Sequence, residues 1–299
     1  MVDTQEIFND LKYRTEHLPI QTTKLPNGAL VLFKLTKKNI DKYMCLSDEF
    51  HIINRLSGRR NDQEQSPMEY LKNNRETIEK LANERYKGSL LNALNSQIKG
   101  CSHFSPFVTV MTLRYFNARR ILDFSAGWGD RLIGCLARDD WIDHYCGVDP
   151  NKQLTTGYKN MIKTYAPKHS RKKYEIVCGP AEKEYIPLAN GRLYDLVFTS
   201  PPFYDKEIYT SKGEQSINEK SYQEWLDEFL LHTIGNVYDL LEMNGHIVLH
   251  LSDELIESIK DKVSQYMKYE GIIYIGDPNY EGTKYEKMVV FEKIKLKYA

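Results

Sequence analysis

From about residue 119 onward, short segments rich in β-forming residues alternate with segments of helical length. The strand-like segments lie at 121–124, 145–149, 174–178, 195–199 and 246–250, and the helical ones at about 130–138, 152–166, 222–242 and 253–268. Strands joined by helices build βαβ units and a parallel sheet. Two final strand-like segments, 271–275 and 287–291, are separated by a loop alone, which predicts an antiparallel pair at the sheet edge. The pattern therefore predicts an α/β fold with a doubly wound, mostly parallel, seven-stranded sheet.

Before residue 119 the strand-like and helical patterns are shorter and do not alternate regularly. A strand is expected at 29–35 after a turn at 26–28, and a loop at 58–67. Helices are expected from Pro67 to about Ala82, from Leu90 to Ile98, and in a segment that ends near Asn117. We expect residues 1–100 to form an N-terminal accessory or substrate-recognition region and residues 101–299 to form the main domain.

The composition is that of an ordinary globular protein, with 41% hydrophobic and 27% charged residues. Basic and acidic residues number 41 each, so the net charge predicts no polyanionic partner. The five cysteines are odd in number and show no CxxC spacing, which argues against a disulfide framework and against a structural zinc site. No secretory signal and no apolar run of membrane-spanning length is visible. The cytoplasm is the expected compartment, that of a host cell if the chain is viral.

The segment 121–132 combines a strand, a glycine-containing turn and the start of a helix. Glycines at 127 and 129 allow positive φ and let a ligand approach the backbone, while the helix N-terminus offers free N–H groups. A dinucleotide-binding turn would need a third glycine where Leu132 stands. The acid at the strand end, Asp123, would repel a pyrophosphate and suits an ammonium group better.

This segment resembles motif I of S-adenosylmethionine-dependent methyltransferases, which implies a Rossmann-like methyltransferase domain with S-adenosyl-L-methionine as its cofactor. In that family the motif wraps the amino-acid end of the cofactor, the next strand ends in an acid that binds the ribose, and the third strand ends beside the adenine. A motif similar to 103–107 packs on the methionine part. The residues that the resemblance assigns to the cofactor are Phe104, Pro106, Asp123, Ser125, Gly127, Gly129, Asp149, Pro150 and Glu182.

The fourth predicted strand runs into Ser200, Pro201, Pro202 and Phe203. A Pro-Pro step is rigid and lacks two N–H donors, so carbonyl groups face outward at the carboxyl edge of the sheet, where open α/β sheets bind ligands. A planar amine held there could donate to the Ser200 oxygen and a carbonyl, which frees its lone pair to attack a sulfonium methyl. Phe203 could hold an aromatic ring by stacking. Positioning carries such chemistry, and a strong general base is not required.

The tetrapeptide resembles the Ser/Asp/Asn-Pro-Pro-aromatic motif of enzymes that methylate the exocyclic amines of bases. In that group serine is typical of cytosine-N4 enzymes, and aspartate or asparagine of adenine-N6 enzymes. The region from 101 to 294 is similar to DNA methylases predicted in phages and bacteria. This resemblance implies DNA as the partner, with Tyr204, Glu207 and Gln215 as substrate contacts, and leaves open whether Phe203 or Tyr204 stacks on the base.

About 75 residues separate the two motifs, which leaves no room for a target-recognition domain between them. Any specificity for DNA is therefore expected in residues 1–100 or in the loop 203–221. Basic residues that could contact phosphates there are Lys37, Lys38, Arg55, Arg59 and Arg60.

Other functions remain open from the sequence. RNA could replace DNA as the substrate, and a protein glutamine could replace a base, although glutamine-modifying enzymes have asparagine at the position of Ser200. A catalytically silent fold that binds nucleic acid is a third alternative, and an NAD-dependent dehydrogenase is disfavoured by the glycine spacing. No metal site is expected.

Overall fold

The computed structural model describes residues 3–17, 22–23, 29–34, 42–210, 215–217, 220–276 and 285–295. Its eleven described strands are β1 (Thr22–Thr23), β2 (Ala29–Lys34), β3 (Arg59–Arg60), β4 (Arg120–Asp123), β5 (His144–Asp149), β6 (Tyr174–Cys178), β7 (Tyr194–Thr199), β8 (Glu207–Ile208), β9 (Leu241–His250), β10 (Lys268–Gly276) and β11 (Glu286–Glu292).

The described helices are α1 (Thr4–His17), α2 (Cys45–Ser57), α3 (Pro67–Asn73), α4 (Arg75–Arg85), α5 (Leu90–Gln97), α6 (Pro106–Tyr115), α7 (Asp130–Ala137), α8 (Thr155–Tyr165), α9 (Tyr222–Trp225), α10 (His232–Asp239) and α11 (Asp253–Val263). A π-helical segment, Leu226–Leu231, joins α9 to α10. Short 3-10 turns precede α8 and β6. Among the described residues, none of the helices has the length and hydropathy of a membrane-spanning segment.

The main sheet has the order β1-β2-β10-β11-β9-β7-β4-β5-β6. The five strands from β9 to β6 run parallel, whereas β11 is antiparallel to both β9 and β10. Helices cover both faces. One buried cluster packs α6, α7 and α8 against one face, and a second packs the helical segment 222–239 and α11 against the other.

The predicted α/β fold, with its doubly wound and mostly parallel seven-stranded sheet, is confirmed, and β10 and β11 form the predicted antiparallel pair, although β2 and not an open edge lies beside β10. The structure adds β1 and β2 beyond β10, so the N-terminal part of the chain extends the same sheet. The helix predicted from Pro67 to about Ala82 is two helices in the structure, α3 and α4. The segment from Pro67 divides at Asn74, whose φ of −127° is not helical and whose side chain donates to the Tyr70 carbonyl. Such side-chain bonds to nearby carbonyls compete with the helical pattern.

Residues before 100 pack in two ways. Phe8, Leu11 and Leu46 belong to the same buried cluster as α6 to α8, whereas α4 and α5 share a smaller cluster with Leu56. Two residues of this region also pair with the chain near the second motif, because β3 is antiparallel to β8. The division at residue 100 stays a prediction.

Candidate active site

A cavity of about 1030 Å³ opens at the carboxyl ends of the parallel strands β4 to β7 and β9. Its walls come from the turn after β4, the ends of β5 and β6, the Ser-Pro-Pro-Phe segment after β7 and the end of β9. The volume is at the upper end of the range of small-molecule sites. This is the edge at which ligands bind in open α/β sheets.

The turn between β4 and α7 is held open toward the cavity by its glycines. Gly127 has φ of +57° and Gly129 has φ of +87°, values that side chains other than glycine rarely adopt. A Cβ at Gly129 would also lie 2.7 Å from Met161 Sδ on α8. Of the two, Gly127 lies in the cavity wall, where the absence of a side chain leaves its backbone open to a ligand.

Asp149, at the end of β5, fixes the turn from the neighbouring strand. One carboxylate oxygen accepts from Gly127 N at 2.8 Å, and the other accepts from Asn151 N at 2.9 Å. Burial raises the pKa of Asp149 to about 6, despite these two hydrogen bonds. The carboxylate lies in the cavity wall, so its remaining acceptor positions are suited to the hydroxyl groups of a ligand.

Asp123 lies under the turn, fully buried, and not in the cavity wall. Its carboxylate accepts from Arg131 Nε at 2.9 Å and from the Tyr145 hydroxyl at 3.0 Å. The Arg131 guanidinium also donates to the carbonyl of Ser125 and packs against the Phe104 ring. We expected Asp123 to meet an ammonium group directly. In the structure its charge is instead balanced by Arg131, which does reach the cavity wall.

The N-terminal helix α2 packs behind the same turn. His51 contacts the carbonyls of Trp128 and Leu154 through its two ring nitrogens, at 2.8 and 2.9 Å. His103 lies between Asp48, at 3.3 Å, and Asp130, at 3.2 Å. Although burial opposes a charged ring, these two carboxylates raise the pKa of His103 to about 9. The imidazolium thus joins α2 to the start of α7.

Ser200 follows β7, the strand that pairs with β4, and also lines the cavity. Its hydroxyl lies 2.9 Å from Nδ1 of His250, the last residue of β9. The pairing follows from the parallel register, in which Thr199 lies beside Leu249, one residue earlier on each strand. The His250 ring packs between Phe104 and Phe203, with ring centroids 5.3 and 5.6 Å away.

Phe203 and Tyr204 face different surroundings. Phe203 lines the cavity, with Lys206 Nζ 5.4 Å from its ring centroid. Tyr204 has φ of +57°, so the chain turns and its ring packs against Tyr222 and Trp225. Its hydroxyl donates to the Lys220 carbonyl at 3.0 Å. The aromatic ring beside Ser200 in the cavity is therefore that of Phe203.

The loop after this segment is tied to the rest of the site by side-chain bonds. Glu207 Oε1 accepts from both the backbone N–H and the hydroxyl of Ser102, at 2.8 and 2.7 Å. Gln215 Oε1 accepts from Tyr209 N at 3.0 Å. Trp225 is fully buried and donates to the Ser216 hydroxyl. Glu207 and Gln215 both lie in the cavity wall, where they also shape the loop.

Most of the predicted site residues meet in this one cavity. Its wall includes Phe104, Ser125, Gly127, Asp149, Pro150, Glu182, Ser200, Pro201, Pro202, Phe203, Glu207 and Gln215. Four others lie behind it, namely Pro106, Asp123, Gly129 and Tyr204. Pro106 is the first residue of α6 and Gly129 directly precedes α7, so both shape the wall through the backbone.

The basic residues proposed to meet phosphates differ from one another. Arg55 is buried in an ion pair with Asp48 at 2.7 Å, so it is not available to a nucleic acid. Arg59 donates to the Gln63 carbonyl, whereas Arg60 lies in the cavity wall and pairs with the exposed carboxylate of Asp62 at 3.3 Å. Lys37 and Lys38 lie outside the described residues.

Sequence reasoning missed Arg131, His250 and Trp128, which all line the cavity. His250 had a usable signal, since it ends a predicted parallel strand and such ends meet at the ligand-binding edge. Arg131 stands one residue into the helix after the glycine turn, where its reach back to Asp123 depends on tertiary structure. No group of acidic, histidine or cysteine residues suited to a metal ion occurs among the described residues.

No family model matches the sequence, and no curated protein matches it. The fold is similar to that of several solved methyltransferase structures. TrmN from Thermus thermophilus aligns at 14% identity and a TM-score of 0.44, over 64% of this chain and 49% of TrmN. The tRNA (m1A58) methyltransferase TrmI from Aquifex aeolicus aligns at 11% identity and 0.43, over 66% and 72%. The methyltransferase domain of bacterial CtHen1-C aligns at 14% and 0.47, over 64% and 97%. These similarities concern the fold alone, and this chain spans about half the length of TrmN.

Proposed function

We propose that this protein transfers a methyl group from S-adenosyl-L-methionine to the exocyclic amine of a base in DNA, with cytosine N4 slightly favoured over adenine N6. The observation that carries the proposal is the placement of two motifs in one cavity. The glycine turn and Asp149 form one part of the cavity wall, and the Ser-Pro-Pro-Phe segment forms another.

The first wall is suited to the cofactor. At Gly127 the turn offers backbone that no side chain covers, and Asp149 offers a carboxylate to ribose hydroxyls. The Arg131 guanidinium lies in the same wall and could meet the carboxylate of the methionine part. Glu182 and Pro180 follow β6, where the resemblance implies that the adenine lies.

The second wall is suited to a planar amine. Ser200 presents an oxygen at the end of β7, and Phe203 presents a ring beside it. A base inside a duplex cannot reach such a cavity, so the target nucleotide would have to be flipped out of the stack or lie in a single strand. The serine favours cytosine N4, as in the group that the motif resembles.

The test is transfer of labelled methyl from S-adenosylmethionine to unmodified duplex DNA, single-stranded DNA and RNA, followed by separation of the product nucleosides. We expect N4-methylcytosine or N6-methyladenine from DNA, and loss of the product in Ser200→Ala and Asp149→Ala. Tyr204→Phe is a matched control, since Tyr204 is the aromatic neighbour that lies outside the cavity wall.

Product found in RNA alone would move the substrate to RNA. Cofactor binding without transfer to any nucleic acid would favour a protein substrate, and a glutamine amide would then be examined first. If the protein neither bound the cofactor nor transferred a methyl group, the catalytically silent fold would remain as the alternative.

A further inference from the structure

The side chain of His250 contacts Ser200 from the strand beside it, and nothing in the motif resemblance assigns it a role. We propose that His250 accepts the proton that the target amine loses, through the Ser200 hydroxyl, and passes it toward Glu286. This inference rests on the proposed function, because it concerns the same amine at the same wall of the cavity.

We assign the tautomer of the imidazole from its two contacts. Nδ1 faces the Ser200 hydroxyl at 2.9 Å, and Nε2 faces the Glu286 carboxylate at 3.6 Å. A carboxylate favours a protonated nitrogen beside it, which places the proton of the neutral ring on Nε2. Nδ1 is then left as an acceptor for the Ser200 hydroxyl proton, and the Ser200 oxygen is left to accept an N–H of the target amine.

The surroundings keep the ring neutral and in place. Burial, together with the nearby positive charge of Arg131, lowers the pKa of His250 to about 4. Phe104 and Phe203 pack on the ring, so it cannot rotate away from Ser200 without repacking both. Among the described residues, Glu286 is the acidic group within ion-pair distance of the ring, and more than half of its side chain is exposed to solvent.

The proton balance of the step follows from this arrangement. The amine nitrogen forms a bond to the methyl carbon while the carbon–sulfur bond breaks and its electron pair stays on sulfur. The nitrogen then bears a positive charge and loses one N–H proton to Ser200 as the Ser200 hydroxyl proton moves to His250 Nδ1. The imidazolium so formed releases its Nε2 proton to the Glu286 carboxylate, from which it exchanges with solvent. The ring, then protonated on Nδ1, regains its starting tautomer by exchange of that proton with solvent before the next turnover.

His250→Asn separates proton acceptance from positioning. The asparagine amide oxygen can still accept the Ser200 hydroxyl, but the amide does not take up a proton at neutral pH. We expect the single-turnover rate of methyl transfer to fall about 100-fold, the lower end of general acid–base effects. The dissociation constant for S-adenosylmethionine should stay unchanged. In the double variant with Ser200→Ala, the rate should equal that of Ser200→Ala alone, because both residues act in one step.

The matched control is His246→Gln. His246 lies on the same strand four residues earlier, packs on Phe116 and stays outside the cavity wall. This substitution should leave the transfer rate unchanged. In a His250→Ala variant, added imidazole should restore transfer in proportion to its neutral form. A His250→Asn rate equal to that of the unaltered protein would overturn the proton relay.

A second measurement needs no turnover. In the unaltered protein with ¹⁵N-labelled histidine, the ring-nitrogen resonances should show His250 neutral at pH 7, with the proton on Nε2. Ser200→Ala should shift the Nδ1 resonance and leave Nε2 in place. A proton found on Nδ1 would overturn the relay while leaving the proposed function intact. If the unaltered protein methylates no nucleic acid, the proposed function fails, and the relay fails with it.

Discussion

Asp123 and Arg131 form a buried ion pair directly beneath the glycine turn of the cavity, with 2.9 Å between Oδ2 and Nε. Since Arg131 also holds the Ser125 carbonyl, the acid at the strand end acts on the turn through the arginine. The charge of Asp123 therefore shapes the cavity without lining it.

This arrangement predicts a strong dependence of folding on both partners. Arg131→Met leaves a buried carboxylate with only the Tyr145 hydroxyl and one backbone N–H near it, so the free energy of unfolding should fall by about 3–5 kcal/mol. The double variant Asp123→Leu/Arg131→Met removes both charges and should be less destabilised than Arg131→Met. Urea unfolding of the single and double variants measures this. If the free energy of unfolding fell by less than about 1 kcal/mol in Arg131→Met, the structural role assigned to this ion pair would be wrong.

The contrast between expectation and structure at Asp123 shows which features of the site can be predicted from the sequence and which cannot. Runs of β-forming residues and the glycine turn depend on local chemistry, so the strands and the turn after β4 could be predicted. The partner of Asp123 depends on how α7 packs over β4, which no local pattern encodes. The contact of Ser200 with His250 likewise requires knowledge that β7 and β9 are neighbours in register. The same holds for β2, whose place beside β10 joins distant parts of the chain.

The raised pKa of Asp149 predicts a pH-dependent affinity for the cofactor product S-adenosylhomocysteine. In the proposed site, ribose hydroxyls donate to the ionised carboxylate, so binding favours that form and weakens as the pH falls through about 6. With a pKa of about 6, the dissociation constant should rise about tenfold between pH 7 and pH 5. Calorimetric titration at both values measures it. Asp149→Asn should bind S-adenosylhomocysteine more weakly at pH 7, and its affinity should no longer depend on pH. If the pH dependence were unchanged in this variant, another titratable group would be its cause.

The pKa of His103 predicts a loss of stability at alkaline pH. Its folded-state pKa of about 9 lies above the usual 6.5, so the folded protein holds the proton more tightly than the unfolded chain. The stabilisation is complete below pH 6.5 and is lost as the pH rises through 9, at most about 3 kcal/mol. Urea unfolding at pH 7 and pH 9.5 should show the fall. His103→Gln should be less stable at pH 7 and show a smaller fall, whereas an equal fall would exclude His103 as its cause.

The different surroundings of Phe203 and Tyr204 predict which ring holds the base. Removal of a stacking side chain costs about 1–3 kcal/mol per base, so Phe203→Ala should lower kcat/KM for the nucleic acid by about 5- to 150-fold. Cofactor affinity should change little. In Tyr204→Phe the bond to the Lys220 carbonyl is lost, and the effect should be confined to stability. A larger loss of kcat/KM in Tyr204→Phe than in Phe203→Ala would reverse the assignment.

The position of Arg60 predicts where the nucleic-acid backbone contacts the rim of the cavity. It lies in the cavity wall, and its backbone pairs with Glu207 across the small sheet formed by β3 and β8. A cation at this rim can neutralise one phosphate beside the target base, so Arg60→Gln should weaken binding to all sequences alike and reduce the slope of log K against log salt by about one. Arg119→Gln is the matched control. Arg119 directly precedes β4, so it lies at the amino ends of the parallel strands, away from the cavity, and it pairs with Asp143. Binding to a labelled oligonucleotide at several salt concentrations measures the slope, and equal slopes in the two variants would place the backbone elsewhere.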